Sequence, residues 1–435
     1  MEKLKKMLTV DGRLYYGWVM LFVGFMTMFI CYVVKANCSA LFYTPICNEF
    51  GITRTVYTQT NTIMTITMMI TSLIMGKMYG KFKVKYVLSI CVAITSLCFV
   101  GMSFATNIWQ LYILNGIQGI GWAGATALPV AIMANSWFGP KIKGTALSLS
   151  MLGSGAGALV LVNVVQGVIT SSGWHTGYLV MAGLNALMIP IALLLAVSHP
   201  KDKGFDHRLG DPSADEIEKA AVEGETVDTE TSGVKATNAI RTLRWWLQFA
   251  AHVLTMICAA GFTTQCVAYY TDLTGDSSQA ALIYSGALGT LIIGKFILGA
   301  VSDIIHIKRS AVIAPLIFAF TFICLGLSTN NMAFSNGVIW TYMIGGSIAS
   351  VIPPLITARN FGDREFPTMN SWMNMAGNLG QIIGPIIAAS VFDITGTYQN
   401  AWFAFAVLMV VAGLCYLCSS LASKKKIEAW GYKPF

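Results

Sequence analysis

The chain has 435 residues, of which 55% are hydrophobic and 11% are charged, and its formal net charge at pH 7 is +8. This composition is too apolar for an ordinary soluble domain. The lysines are scattered between apolar runs, which argues against a nucleic-acid-binding face. We therefore expect an all-α integral membrane protein.

Twelve apolar stretches are long enough to cross a bilayer, a distance that takes about 20 helical residues. The first six lie at 16–44, 57–76, 86–106, 109–134, 144–170 and 177–197. The second six lie at 245–271, 280–301, 310–328, 335–357, 370–392 and 400–421. The first stretch is too long for the apolar region of a signal peptide, so we expect it to remain in the mature protein.

Basic residues predict the orientation, because Lys and Arg near span ends stay on the cytoplasmic side. With the N-terminus inside, 25 of the 28 Lys and Arg residues fall in inner segments, and only Arg54 falls in an outer loop. Both termini are therefore expected to be cytoplasmic. The predicted location is the cell membrane, with the bacterial inner membrane as the first choice.

The polar insertion at 198–244 divides the chain into two halves. We predict a six-helix bundle at 1–197, an acidic cytoplasmic linker at 198–244, and a second six-helix bundle with a basic tail at 245–435. Residues also match between the halves at offsets of 223 or 224: Gly76 with Gly299, Pro129 with Pro353, and Gly153 with Gly377. This spacing predicts two pseudo-repeats with a binding site near the middle of the membrane.

Lys35 and Lys295 are the two charges inside the predicted spans, and neither is accompanied by an acidic residue there. A lysine at the bilayer centre costs about 2.5–3.5 kcal/mol, so each is a candidate functional residue. Lys35 could instead snorkel to the outer surface. Lys295 could instead pair with a buried carboxylate, for which Asp303 is the nearest candidate in sequence.

Two unaccompanied cations favour a small organic anion as the substrate. An anion held between Lys35 and Lys295 would touch both halves, and an empty site with two unpaired cations would cross the membrane less readily. This favours exchange or facilitated transport by alternating access over one-way flow. Polar and aromatic residues that could orient the anion are Trp122, Asn37, Gln118, Gln265, Tyr284 and Asn378, with Asn115 and Asn374 as further candidates.

The segment GAVSDIIHIKR at 299–309 resembles the loop signature of the major facilitator superfamily, and this resemblance covers essentially the whole chain. It implies the major facilitator fold. It also implies a gating loop, to which we assign Gly76, Gly299, Asp303, Lys308 and Arg309. The first-half counterpart has Gly80 where the superfamily has an aspartate.

Four motifs are similar to the monocarboxylate and oxalate/formate transporter group: YYGWV at 15–19, WFGPKIKGTALSLSMLGSGAGA at 137–158, GW at 173–174 and FDITGTYQNAW at 392–402. The resemblance implies that a cation on the eighth helix, four residues before the glycine that opens the inner loop, binds the substrate carboxylate; Lys295 stands four residues before Gly299, in place of arginine. Leu291 replaces the aspartate of proton-coupled carriers, and Gly377 replaces the second lysine of the antiporters.

Several alternatives remain open at this point. A proton-coupled carboxylate symporter is the first, although the chain has no carboxylate within its predicted spans, and its five histidines are predicted to lie at helix ends or in loops. A multidrug carrier for cations would need an acidic cavity. No catalytic or metal-binding spacing is present in the sequence, so we expect neither an enzyme nor a cofactor. The expected partners are the substrate, a possible co- or counter-transported proton or anion, and lipid, with the monomer as the functional unit.

Overall fold

The computed structural model describes most of the chain. The described ranges are 9–10, 13–139, 143–205, 208–209, 233–305, 307–362, 365–422, 425–428 and residue 430. Within them, side chains are described except at 9–10, 13–14, 73, 143–144, 299–300, 303–304, 366–367 and 425–426. Most of the predicted linker, including 210–232, therefore lies outside the described residues.

The described residues are almost entirely helical. The chain starts with a two-stranded antiparallel ladder of β1 (Thr9–Val10) and β2 (Arg13–Leu14). The first membrane run then consists of α1 (Gly17–Met26), a π-helical segment (Thr27–Tyr32), α2 (Val33–Ala36), a 3₁₀ segment (Cys38–Phe42) and α3 (Tyr43–Phe50). The following helices, up to residue 195, are α4 (Arg54–Lys81), α5 (Val84–Ser103), α6 (Ile108–Gly124), α7 (Ala127–Trp137), α8 (Lys143–Ala186) and α9 (Met188–Leu195). A short 3₁₀ segment (Pro200–Lys203) precedes α10 (Ala236–Ala239), α11 (Leu243–Thr274), α12 (Ser277–Ile304), α13 (Ile307–Ser328), α14 (Phe334–Gly345), α15 (Ile348–Phe361), α16 (Phe366–Thr395), α17 (Gln399–Leu421) and α18 (Lys425–Glu428).

The lengths and hydropathy of these helices suit a protein that crosses a membrane many times. Ten helical runs in the described part are long and apolar enough to span it, and the bent pair Arg54–Ser72 and Ile74–Lys81 makes up to eleven. The run Thr145–Leu195 breaks at Gly173, whose φ of 80° only glycine adopts readily. The all-helical membrane class is confirmed, and each of the twelve predicted stretches falls on one of these runs. The cytoplasmic termini stay a prediction.

Contacts divide the chain into two compact units. Unit 1 consists of Met1–Phe42 and Ile63–Val227, and unit 2 consists of Tyr43–Thr62 and Asp228–Phe435. The segment Tyr43–Thr62 is thus flanked in sequence by unit 1 but packs as part of unit 2. The boundaries predicted for the two bundles and the linker stay a prediction.

An aromatic cluster in unit 1 joins two of the motifs seen in the sequence. The ring of Tyr15 packs edge-on against Trp137, Phe138 and Phe205, and its hydroxyl donates to the Trp137 carbonyl. Trp137 in turn donates its Nε1 hydrogen to the carbonyl of Val197, 3.0 Å away. The YYGWV and WFG motifs therefore fix the first helix to the end of α7.

Unit 2 contains a related cluster at the matching position of its repeat. Trp245 packs edge-on against Phe361 and Trp372. The amide of Val234 donates to the Phe361 carbonyl at 2.8 Å. In unit 1 the amide of Gly139 likewise donates to the Leu209 carbonyl at 2.8 Å. Both described ends of the connecting segment are thus hydrogen-bonded beside the phenylalanine–glycine pair of their own unit.

Glycines bring α8 directly against the first helix. A Cβ atom at Gly153 would overlap the carbonyl oxygen of Phe25, and one at Gly157 would overlap that of Phe29. Since Phe25 and Phe29 flank the start of the π-helical segment, this contact sets the path of the chain just before Lys35. Widened turns of this kind occur frequently at functional sites.

Candidate functional site

Lys35 lies inside unit 1, on the short helix α2 that follows the π-helical segment. Its side chain is 6% exposed, and its Nζ donates to Asn115 Oδ1 at 2.8 Å. Asn115 is fixed in turn, because its Nδ2 donates to the Leu111 carbonyl at 2.9 Å. The ammonium group therefore points into the protein, which excludes the snorkelling alternative. No described carboxylate pairs with it.

Three polar residues share the face of α6 that meets Lys35. Asn115, Gln118 and Trp122 are spaced by three and four residues, so they follow one another along one side of the helix. Gln118 is fully buried, yet neither its Nε2 nor its Oε1 has a hydrogen-bond partner among the described residues. The indole nitrogen of Trp122 is also buried without one. Buried polar groups normally have partners, so this face offers unused hydrogen-bonding capacity.

Aromatic packing closes one side of this group. The ring of Tyr32, in the π-helical segment, stacks on Trp122 with centroids 6.0 Å apart and planes inclined by 26°. Asn37, two residues after Lys35, is 8% exposed. The structure therefore puts Lys35 in contact with Asn115 and places Gln118 and Trp122 one and two turns further along the same side of α6, with Asn37 two residues after Lys35 in the chain.

Lys295 lies in unit 2 on α12 and is half-buried. It forms no hydrogen bond or ion pair with any side chain that the structure describes. Its position is nevertheless well defined, because the preceding Gly294 lies directly against the carbonyl of Met343 on α14. Leu291 and the fully buried Tyr284 occupy the same face of α12 one and three turns earlier. The candidate carboxylate Asp303 has no described side chain.

The remaining candidates in unit 2 have mixed surroundings. Both ends of the Gln265 amide are occupied, since Oε1 accepts from the Tyr398 hydroxyl at 2.9 Å and Nε2 lies 3.4 Å from Thr58 Oγ1. Asn378 is half-buried and Asn374, one turn earlier on α16, is exposed. The roles assigned to these residues stay predictions.

The gating-loop residues correct the predicted helix boundaries. The sequence ended the second span at residue 76 and the eighth at 301, whereas α4 continues to Lys81 and α12 to Ile304. Asp303 therefore lies in a helix rather than beyond its end, while Gly76 and Gly299 lie in helices as the predicted spans placed them. Hydropathy marks where a side-chain pattern turns polar, but backbone hydrogen bonds carry a helix past that point. Lys308 is half-buried and Arg309 exposed, at the start of α13.

Sequence reasoning missed two buried residues of unit 2. His252 was predicted at a helix end, but it lies within α11 and is 2% exposed, with its Nε2 facing the space beside Gly377. Arg54 was predicted in an outer loop, but it begins α4 and is 8% exposed because it pairs with Asp272. A basic residue in an otherwise uncharged outer segment was the available signal for Arg54.

Comparison with known proteins agrees with this architecture. The model of the Major Facilitator Superfamily matches residues 18–273 and 250–431. Monocarboxylate transporter 12 of Rattus norvegicus is 23% identical over 343 residues, which cover 74% of this chain and 69% of that protein. The uncharacterized MFS-type transporter YcxA of Bacillus subtilis (strain 168) is 22% identical over 165 residues, 38% of this chain and 40% of that protein.

Solved structures share the fold at low sequence identity. A bacterial homolog of the human lysosomal transporter Spinster, in an inward-facing and occupied conformation, superposes with a TM-score of 0.70 at 13% identity, covering 97% of this chain and 98% of that one. The nucleoside transporter NupG gives a TM-score of 0.70 at 13% identity, covering 93% and 99% of the two chains. The chain therefore belongs to the Major Facilitator Superfamily and is a multi-pass membrane transporter, not an enzyme.

Proposed function

We propose that this transporter carries small organic anions, mono- or dicarboxylates, by alternating access and in exchange or facilitated mode. The observation that carries the proposal is the environment of Lys35, a buried lysine whose single described partner is the neutral amide of Asn115. A cation in such a place is costly unless a negative charge compensates it. A carboxylate substrate would supply that charge at the moment of binding.

The neighbours of Lys35 suit a carboxylate with further acceptor atoms. Lys35 has two hydrogens beyond the one given to Asn115, and the Gln118 amide and the Trp122 indole add further donors. Hydrogen bonds to a charged group contribute about 1.5–3 kcal/mol each, more than neutral ones. We infer that Lys35, Gln118 and Trp122 bind the anion, with Asn115 holding the ammonium in position and Asn37 at the edge.

Lys295 supplies a second cation in the proposed cycle. The residue is half-buried, and no described acidic side chain pairs with it. Lysine offers a point charge rather than the bidentate fork of arginine, so it restricts the shape of the anion less. Tyr284 and Asn378 are assigned to the same binding role, and Gly76, Gly299, Asp303, Lys308 and Arg309 to the inner gate.

The charge arrangement also supports exchange. Without a substrate, the transporter must change conformation with uncompensated lysines in a low-dielectric interior, which is unfavourable. Two described acidic groups at span ends do not relieve this, since Asp272 pairs with Arg54 and Asp393 accepts hydrogen bonds from the backbone of Arg54 and Thr55. No described carboxylate contacts Lys35, which argues against a carrier for cationic drugs.

Uptake by purified protein in proteoliposomes tests the proposal. A panel of labelled mono- and dicarboxylates is compared with uncharged and cationic compounds, with and without unlabelled substrate inside. We expect carboxylate uptake that internal substrate accelerates. The double variant Lys35→Met/Lys295→Met should lose it, while Lys201→Met, a change at an exposed lysine outside the spans, should retain it. Preference for a cation would refute the proposal, and acceleration by an inward proton gradient alone would favour symport.

A further inference from the structure

Arg54 is the centre of a polar network within unit 2. Its two terminal nitrogens donate to the two carboxylate oxygens of Asp272 at 2.8 and 2.9 Å, and Nη1 also donates to the Tyr398 hydroxyl at 2.7 Å. The guanidinium carbon lies 4.0 Å from the centroid of the Phe392 ring. This two-point pairing, combined with stacking, is the strongest geometry that an arginine forms with a carboxylate.

A second layer of contacts extends the network. Asp393 receives the amide hydrogens of Arg54 and Thr55 at 3.2 and 2.9 Å and so caps the first turn of α4. The Tyr398 hydroxyl donates to Gln265, whose amide reaches Thr58 on the next turn of α4. The start of α4 is therefore attached to the ends of α11 and α16 and to the residue before α17.

The path of the chain around this network indicates what the network could do. Tyr43–Thr62 packs with unit 2, although the residues on both sides of it belong to unit 1. A turn at Gly51, with φ of 61°, lies between α3 and α4, and Tyr43 of α3 contacts Tyr57 of α4 with ring centroids 4.6 Å apart. We propose that Arg54, Asp272, Asp393 and Tyr398 form an outer latch, which holds the segment Tyr43–Thr62 on unit 2 and must open in each transport cycle to admit substrate from outside.

The exposure of the two charged partners suits a contact that breaks and re-forms. The Arg54 side chain is 10% exposed, whereas that of Asp272 is 35% exposed. Water can therefore reach the carboxylate and take over its hydrogen bonds when the arginine leaves. A fully buried pair would be far more costly to separate. The latch is thus strong enough to hold one state without trapping the transporter in it.

Cys47 provides a native probe for the latch. It lies on α3 within the latched segment and is 8% exposed, with its Sγ 3.9 Å from the carbonyl oxygen of Thr53. Detachment of the segment should expose this thiol. Cys258, on α11, is fully buried away from the segment and serves as an internal control for global unfolding.

The experiment measures the labelling rate of Cys47 in whole cells with a membrane-impermeant maleimide, read by mass spectrometry of the peptides. Asp272→Asn removes the charge pair, and we expect labelling to accelerate about tenfold as the open state gains population. Arg54→Lys keeps the charge but loses the two-point pairing, and should give a smaller increase. In both variants Cys258 should stay unlabelled.

Asp276→Asn is the matched control. Asp276 is exposed four residues after Asp272 and caps α12 through the amide of Ser278, a role that asparagine also fills. An unchanged Cys47 rate in both latch variants, or an equal rise in Asp276→Asn, would overturn the proposal. Labelling only in inverted vesicles would overturn the outer assignment. The readout needs no substrate, so it stands apart from a failure of the carboxylate proposal.

Discussion

Lys35 in unit 1 and Lys295 in unit 2 carry the same charge in different surroundings. Lys35 is 6% exposed and hydrogen-bonded to a buried amide, whereas Lys295 is half-buried with no described hydrogen-bond partner. Electrostatic interactions strengthen as water is excluded. An anion should therefore interact more strongly with Lys35 than with Lys295, although the family resemblance of the sequence points to Lys295 as the residue that binds the carboxylate.

The same contrast extends to the helices that hold the two lysines. Lys35 follows a π-helical segment and faces α6, where Gln118 and Trp122 add unused hydrogen-bonding atoms. Lys295 lies in a regular helix, whose backbone is fixed by the contact of Gly294 with Met343. In unit 1 the lysine thus lies beside further hydrogen-bonding side chains, whereas in unit 2 the lysine supplies a positive charge alone.

Removing each charge in turn gives the largest expected effect. Lys35→Met should lower kcat/KM for the best carboxylate about 100-fold, since a buried charged hydrogen bond contributes about 1.5–3 kcal/mol. Lys295→Met should lower it about tenfold, because water screens a half-buried charge. Initial uptake rates in proteoliposomes measure both, with Lys201→Met as the control. Equal losses, or a larger loss in Lys295→Met, would remove the distinction between the two units.

Substituting two glycines at matching repeat positions, Gly153 and Gly377, tests whether the units differ in helix packing as well as in charge. A Cβ at Gly153 would overlap backbone atoms of Phe25, which cannot move without shifting the helix. A Cβ at Gly377 would meet flexible side chains, His252 Nε2 at 3.1 Å and Met256 Cε at 3.3 Å. We expect Gly153→Ala to cost about 2 kcal/mol and Gly377→Ala less than about 1 kcal/mol.

Thermal unfolding of the detergent-solubilised protein measures this difference. Gly183→Ala is a suitable control, because a Cβ there would meet no atom within 4 Å. If Gly377→Ala lowered the melting temperature as much as Gly153→Ala, the two halves would be packed alike at these positions. The distinction between rigid and adaptable helix contacts would then be wrong.

The membrane-spanning architecture could be predicted from the sequence because hydropathy along the chain reports the bilayer directly. The ends of α4 and α12 could not, since helical hydrogen bonding continues beyond the apolar part into Lys81 and Ile304. Lys35 and Lys295 were found because a charge inside an apolar run is locally visible.

The partners of these residues depend on tertiary packing and escaped the sequence. Asn115 lies 80 residues from Lys35, and Asp272 lies 218 residues from Arg54. No local pattern links such pairs. For this reason the sequence alone leaves snorkelling of Lys35 open, and only the hydrogen bond to Asn115 argues against it. Arg54 was read as a loop charge because its compensating carboxylate belongs to another helix.

Gln118 and Gln166 provide the finest test of the binding group in unit 1, because both glutamines are buried there in different states. Gln118 has no described hydrogen-bond partner for its amide, whereas Gln166 donates from Nε2 to Thr170 Oγ1 at 3.0 Å. Replacing an unsatisfied buried amide with an apolar side chain of similar size removes a penalty of about 1 kcal/mol or more. Gln118→Leu should therefore raise the melting temperature of the empty transporter.

Gln166→Leu, the matched change, should lower the melting temperature, because it removes a formed hydrogen bond and leaves Thr170 with one partner fewer. Carboxylate affinity should respond in the opposite sense. Gln118→Leu should weaken it about tenfold, the effect of one lost hydrogen bond to a charged group, while Gln166→Leu leaves it unchanged. A Gln118→Leu protein that was more stable and bound substrate as tightly as before would show that the vacant amide is a packing imperfection, and the binding group of unit 1 would then reduce to Lys35, Asn115 and Trp122.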